Sequence, residues 1–338
     1  MHRFRRTAAL ALALLIAHAA QPARAATEIM APGGAPASFP PAADAPLLLW
    51  LWVLFIGLCL GSFLNVVIHR LPIMERREAL AWAEAIQADE ATRTDGEAPS
   101  GPEDAEAEAV PPAPYNLMVP RSACPHCGHG ITALENIPVL SWLALRGRCS
   151  ACGAPISARY PIVEAVTALL TVLVVLAFGF TGAGVLAALF TWALIALTMI
   201  DVDHMELPDA IVYPLLWLGL LANVGGLYVP LSQAVVGAAV GYLFLWSLYW
   251  AFRLFTGKEG MGYGDFKLMA AMGAWMGWAA LPGLLLLSSL SGLLAFALMR
   301  VSGRLESGAP MPFGPAIALA GWLALVLPAF GFRLPGMP

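Results

Sequence analysis

From position 161 to 209 the chain reads PIVEAVTALLTVLVVLAFGFTGAGVLAALFTWALIALTMIDVDHMELPD. The first forty of these residues contain one charged side chain, Glu164, and the last nine contain four carboxylates. An α-helix needs about 20 consecutive apolar residues to cross a bilayer's hydrocarbon. The apolar stretch is interrupted by Gly-Phe-Thr-Gly at 179–182, so it predicts two crossings with an acid-rich segment at the exit of the second. The rest of the 338 residues agrees: 59% are hydrophobic and 12% charged, with a mean hydropathy of +0.75. An ordinary soluble domain carries about 25% charged residues, and so few charges cannot cover the surface of a water-soluble globule. A net charge of -4 gives no basic face for nucleic acid, so no nucleic-acid partner is expected.

Working outward, the pattern predicts an all-α polytopic membrane protein with about eight transmembrane helices. The expected spans are 46–68, 161–179, 183–200, 210–228, 233–253, 266–280, 281–299 and 313–331. Residues 1–25 read as an export leader: Arg3, Arg5 and Arg6 precede an apolar run, and Ala23-Arg24-Ala25 offers a small-x-small cleavage site. Residues 26–45 read as a Pro- and Ala-rich linker, followed by the first transmembrane helix, 46–68. Residues 69–158 form a polar loop. Within it, 87–114 is acidic, with Glu103, Asp104, Glu106 and Glu108, and is expected to be disordered, whereas 115–158 reads as a small ordered module. Residues 159–331 make up a seven-helix membrane domain.

Basic residues orient the spans. With the mature N-terminus outside, Arg70, Arg76, Arg77, Arg159, Arg253, Lys258, Lys267, Arg300 and Arg304 all fall inside, and Arg333 falls outside. Two acid clusters then share the cytoplasmic face by parity. One is Met199 to Asp209, at the end of the third span. The other is Gly260-Met261-Gly262-Tyr263-Gly264-Asp265-Phe266-Lys267, where the sixth begins. One carboxylate from each is able to form a proton-sharing pair that activates water. The glycines before Asp265 suggest room for a substrate backbone. Spacing alone does not choose among Asp201, Asp203 and Asp209: Asp209 follows Pro208 at a helix start, where the dipole favours an acid, and Asp203, His204 and Glu206 suit a solvated loop.

Cys124-Pro125-His126-Cys127 and Cys149-Ser150-Ala151-Cys152 are two Cys-x-x-Cys pairs separated by 21 residues. Four thiolates at this spacing suit a closed tetrahedral zinc site in a zinc-ribbon-like module. Gly128 and Gly153 are placed for tight knuckle turns, His126 and His129 could replace a Cys but read as bystanders, and Cys59 reads as a small core residue of the first span.

Together, several stretches resemble the bacterial type IV prepilin peptidases, the bifunctional leader peptidase/N-methyltransferases with a Gly-x-Gly-Asp motif. They are Gly61-Ser62-Phe63-Leu64-Asn65-Val66-Val67 with His69-Arg70-Leu71-Pro72, Ser122 to Cys127, Asn136-Ile137-Pro138-Val139-Leu140-Ser141-Trp142, Arg159-Tyr160-Pro161, Ile200-Asp201 through Leu207-Pro208-Asp209, and Gly262 to Lys267. The resemblance runs from about 46 to 331, leaving out the leader and the 75–114 insertion. It implies that the catalytic pair is Asp201 and Asp265. It also implies removal of a short basic leader from prepilins and pseudopilins at the cytoplasmic face of the inner membrane. The new N-terminus would then be methylated with S-adenosylmethionine, in a half spanning about 61–160. Methyl-donor residues are not identifiable by motif, since no Gly-rich nucleotide fingerprint is present. Peptidase activity without methylation, a proton-coupled carrier and a zinc-dependent assembly scaffold are the alternatives. A carrier would favour acids at mid-membrane, not at one face.

Overall fold

The computed structural model describes residues 45–94, 115–258, 260–303 and 311–332. The leader, nearly all of the linker, Glu259 and the acidic run at 103–108 lie outside them. Among the described residues there are nine α-helices: α1 (Leu47–Thr94), α2 (Leu140–Ala144), α3 (Arg159–Phe178), α4 (Gly182–His204), α5 (Asp209–Ala222), α6 (Leu231–Thr256), α7 (Tyr263–Met276), α8 (Leu281–Val301) and α9 (Gly314–Val326). Apart from the five-residue α2, each corresponds to one expected apolar segment. Two isolated β-bridges, both near the cysteines, are the only extended pairing among these residues.

Helices α1, α3, α4, α6 and α8 are long and apolar enough to cross a bilayer, and α5 and α9 are shorter apolar helices. At 14 residues α7 is also short, about 21 Å at 1.5 Å per residue. It need not match the lipid thickness because it runs through the centre of the bundle. Phe266, Leu268, Met269, Met272 and Trp275 on it are all fully enclosed. Close approach to α6 is possible because Gly237 and Gly241 face α7 and Gly273 faces α6, leaving backbone against backbone. Gly219 of α5 likewise makes room for the Trp275 indole, whose N–H donates to the Leu215 carbonyl at 2.9 Å. Asn223 closes that end of the bundle. Its amide donates to the carbonyls of Ala274 and Trp275, and its oxygen accepts from the N–H groups of Tyr228 and Val229. A buried amide is thereby satisfied on both sides.

Helix α1 packs on α3 through Gly57 and Gly61, four residues apart on one face. A Cβ at either position would lie 2.6 Å from a Cα of α3, at Ala168 and Glu164 respectively. In lipid, where apolar burial gives no preference for helix over tail, such small-residue contact is what holds helices together. Gly61→Leu is therefore expected to force the helices apart. The cost should be about 3 kcal/mol, the upper end of the usual range, since overpacking against backbone relaxes poorly. A thermal-unfolding midpoint in detergent equal to that of the parent protein would contradict this. Cys59 lies between these glycines but is exposed on the opposite side of α1, so it is not a core residue; an apolar thiol is tolerated on a lipid-facing surface.

The first helix does not stop near Ile68. It continues to Thr94, through the polar segment and the first part of the stretch expected to be disordered. Residues 74–94 are rich in Ala, Glu and Arg, strong helix formers that carry the helix forward without tertiary support. The extension projects about 40 Å beyond Ile68 at 1.5 Å per residue.

The chain passes repeatedly between two ends of the bundle. One end gathers the C-terminus of α4 and the N-termini of α3, α5, α7 and α9, and carries the ionisable groups. The other, around Asn223, Tyr228 and Trp275, is apolar and satisfied by backbone contacts.

Candidate active site

Four carboxylates lie between 201 and 209, and the structure separates them by environment. Asp203 on the outer face of α4 forks onto the Arg159 guanidinium at 2.6 and 2.5 Å. Asp209, in the first turn of α5, binds the Lys267 ammonium at 2.7 and 2.8 Å, tying the starts of α5 and α7 together. Glu206 pairs loosely with Arg76 at 3.6 Å, and Arg76 also approaches the His204 imidazole at 3.4 Å. Asp201 alone turns inward, 5% exposed.

Asp265, in the first turn of α7, is 7% exposed, and its neighbour Gly264 packs on Leu207, the same side chain that lies against Gly314 beside Asp201. Among the described residues no ion pair reaches either acid. Two buried carboxylates at one end of the bundle, with no ion pair among the described residues, are costly for folding, and buried acids in membrane proteins mark candidate functional sites. The resemblance to a known motif pointed to Asp201; burial and the absence of a cation distinguish it from Asp203 and Asp209 by an independent route.

Gly314 completes the site, and the sequence reading did not identify it. Its N–H, at the start of α9, donates to Asp201 Oδ2 at 2.9 Å across 113 positions of chain. Its only local signal is a glycine and a proline opening a helix, in Phe313-Gly314-Pro315, which is a common helix start. Leu207 wedges between the two motifs: a Cβ at Gly264 would meet Leu207 Cβ at 2.8 Å, and one at Gly314 would meet its Cδ2 at 3.1 Å and Asp201 Oδ2 at 2.6 Å. The space beside Gly264 is thus filled by Leu207 and that beside Gly260 by Phe252, whereas Gly262 faces open space with only Asp265 Oδ2 within 4 Å, at 3.9 Å, so room for a substrate backbone exists there alone among the three.

Gly314→Ala should displace the Asp201 carboxylate while leaving the backbone in an accessible conformation. A drop in catalytic rate of about 100-fold is expected, the usual scale for a misplaced reacting group, with the unfolding midpoint nearly unchanged. Parent-like kinetics would show that Asp201 tolerates the shift.

The four cysteines of 115–158 converge. Cys124 and Cys152 Sγ are 3.8 Å apart, Cys127 and Cys149 Sγ 4.0 Å, and all four lie within 4.8 Å of one another with no imidazole in the group. Tetrahedral Zn–S bonds of about 2.3 Å require S–S edges of about 3.8 Å, so the thiols fit a zinc ion. Each Cys-x-x-Cys pair is a tight knuckle. Gly128 and Gly153 adopt φ of 73° and 72°, and their N–H groups donate to the carbonyls of Cys124 and Cys149 at 2.9 and 3.0 Å. His129 faces Glu135 at 3.3 Å instead. The Glu135 carboxyl is held down at about 2 by hydrogen bonds from the Ser150 hydroxyl and from the Thr132 backbone and side chain. An ionised Glu135 thus links the two knuckles.

The module is fastened to the bundle at the acid-bearing end. The Val139 N–H donates to the Glu164 carboxylate at 2.7 Å. The largely buried Arg70 guanidinium donates to the carbonyls of Asn116 and Pro120 at 2.9 and 2.6 Å.

The fold and site define a multi-pass helical membrane protein with two buried carboxylates at one end and a four-thiol module. Comparison with known proteins narrows this. Residues 55–178 match the bacterial peptidase A24 N-terminal domain, and residues 188–297 match the type IV leader peptidase family. A protein of Aeromonas hydrophila is 57% identical over 282 residues, covering 82% of this chain and 91% of its own. One from Pseudomonas aeruginosa is 51% identical over 288 residues, covering 84% and 92%. One from Dichelobacter nodosus is 47% identical over 285 residues, covering 82% and 92%. All three are named prepilin leader peptidase/N-methyltransferase. No solved structure matches. The chain belongs to the type IV leader peptidase family.

Proposed function

We propose that this protein is an aspartyl endopeptidase of the bacterial inner membrane. It removes the leader from type IV prepilins and secretion pseudopilins at the cytoplasmic face and then N-methylates the new N-terminus. The observation that carries the peptidase reading is the burial of both Asp201 and Asp265 at the charged end of the bundle, around Leu207 and with no ion pair to either among the described residues.

Two carboxyl groups brought together at this site share a proton. The ionised member takes a proton from water as it attacks the scissile carbonyl. The protonated member gives its proton to the carbonyl oxygen; as the C–N bond breaks, the first member passes the water-derived proton to the leaving amine and the second recovers its own from the gem-diol hydroxyl. The Gly314 N–H fixes the orientation of Asp201, and the Asp209–Lys267 pair holds the start of α7, and with it Asp265, against α5. Cys124, Cys127, Cys149 and Cys152 would hold zinc, whose four-thiolate shell leaves no open position and therefore braces the loop without reacting. The membrane domain at 159–331 carries the peptidase, and the preceding loop carries the zinc module. S-Adenosylmethionine supplies the methyl group.

The orientation is supported by the concentration of Arg and Lys at the end that bears the acids. The test is incubation of the purified chain with a prepilin, with and without S-adenosylmethionine, read by intact mass. Loss of the leader mass, followed by a gain of one methyl group only when the donor is present, is the expected result. Uncut substrate would overturn the reading, and cleavage without the methyl gain would reduce it to a peptidase.

A further inference from the structure

A cavity of about 270 Å³ opens at the acid-bearing end between α1, α3 and α4, lined by Asn65, His69, Arg159, Tyr160, Asp203 and His204 among others. We propose that it is the binding site for the methyl donor, a nucleoside bearing a zwitterionic amino-acid tail. This rests on the methyltransferase part of the function proposed above, and assigns it a place.

Position is the first argument. The cavity lies on the seam between the two matched segments: Asn65, His69, Arg159 and Tyr160 come from 55–178, and Asp203 and His204 from 188–297. His204 lies one turn beyond Asp201 along α4 and Asp203 on the helix's other side, so the cavity and Asp201 are separated by no more than about the 10–12 Å width of one helix.

Lining chemistry is the second. Arg159 and Asp203 already hold each other in a two-pronged pair. Of five guanidinium N–H donors only two are used, and each carboxylate oxygen keeps a free lone pair. The side chains are 37% and 25% exposed, so both reach the cavity. A preformed pair of this kind presents a donor fork to a ligand carboxylate and acceptor sites to a ligand ammonium or ribose hydroxyl. The half-exposed Tyr160 ring and the two imidazoles offer flat faces for a purine.

One wall of the cavity is tied across helices, since the Asn65 amide of α1 donates to the Tyr160 carbonyl of α3 at 3.1 Å. The volume is close to the lower end of the roughly 300–1,000 Å³ typical of small-molecule sites, enough for a nucleoside whose tail extends to the open rim. A second cavity of about 170 Å³, at the opposite end, is lined by Tyr228, Val229, Trp275, Met276, Ala280, Ala324, Leu325 and Pro328. It offers no ionisable partner for a zwitterion except the Tyr228 phenol, which is already bonded to the Ala183 carbonyl.

The experiment uses the full chain in detergent. Methyl-tritiated S-adenosylmethionine is crosslinked by ultraviolet light and the labelled peptides mapped, while S-adenosylhomocysteine binding is measured by calorimetry for the parent, Tyr160→Ala and His69→Ala. Label on peptides containing 65–69, 157–160 or 203–204, with a Kd raised at least tenfold in both variants at an unchanged unfolding midpoint, is the expected result. Label confined to the cysteine module, or parent-like Kd in both variants, would place the donor elsewhere and overturn the proposal alone. Absence of both label and heat for the parent chain would overturn the methyltransferase reading with it. If a variant unfolds, the crosslink map of the parent decides.

Discussion

Asp201→Asn and Asp265→Asn are each expected to lower prepilin cleavage by about 1,000-fold or more, with little change in membrane insertion or unfolding midpoint. Asparagine keeps the shape and can still accept the Gly314 N–H at Asp201, so packing around Leu207 survives. It can neither take a proton from water nor supply one to the carbonyl oxygen. Positioned acid–base groups contribute about 10²–10⁴-fold each, and paired groups that act as a unit fail together. The double variant should therefore be scarcely slower than either single one. Removing a buried carboxyl with no cation partner also removes a folding cost, so the variants should be no less stable than the parent. The contrast is Asp203→Asn, where the Arg159 fork is weakened but the pair itself is untouched. Cleavage within tenfold of the parent in either Asp201→Asn or Asp265→Asn would end the assignment.

The second large effect concerns the thiols. Folded chain should contain one zinc, and Cys124→Ser or Cys149→Ser should lose it. Structural zinc contributes on the order of 10 kcal/mol to the folding of small modules, and 115–158 has little core of its own: Met118, Leu134, Leu140 and Leu143 are all exposed. Without the metal, the two knuckles would be joined mainly by Glu135, through His129 on one side and Ser150 on the other. Proteolysis should then cut within 115–158 far faster, while the membrane helices, held by α7 packing and the α1–α3 glycines, remain intact. Metal analysis finding no zinc on folded chain, or Ser variants as protease-resistant as the parent, would refute the structural-metal reading.

Much of this architecture is visible in local patterns. Apolar segments of the right length, the basic residues at their ends and the two Cys-x-x-Cys pairs are signals that neighbouring residues carry. Parity then brings both acid clusters to one face without any knowledge of packing. The same local signals misplaced Cys59, because a small apolar residue suits a core and a lipid-facing surface equally. They also ended α1 too early, because polarity marks the edge of a membrane and not the end of a helix.

Sequence by itself determined the helical class, the number of apolar segments, the shared face of the acids and the four-thiol cluster, since each follows from composition and spacing over a few dozen residues. Only the tertiary structure decided which acid of 201–209 turns inward and which meet Arg159 and Lys267, that Gly314 grips Asp201 from 113 positions away, and that α7 lies enclosed at the centre. Those outcomes depend on which helices become neighbours. Neighbours are chosen by close contact between surfaces distant in sequence, such as Gly237 against Gly273, which no local pattern encodes.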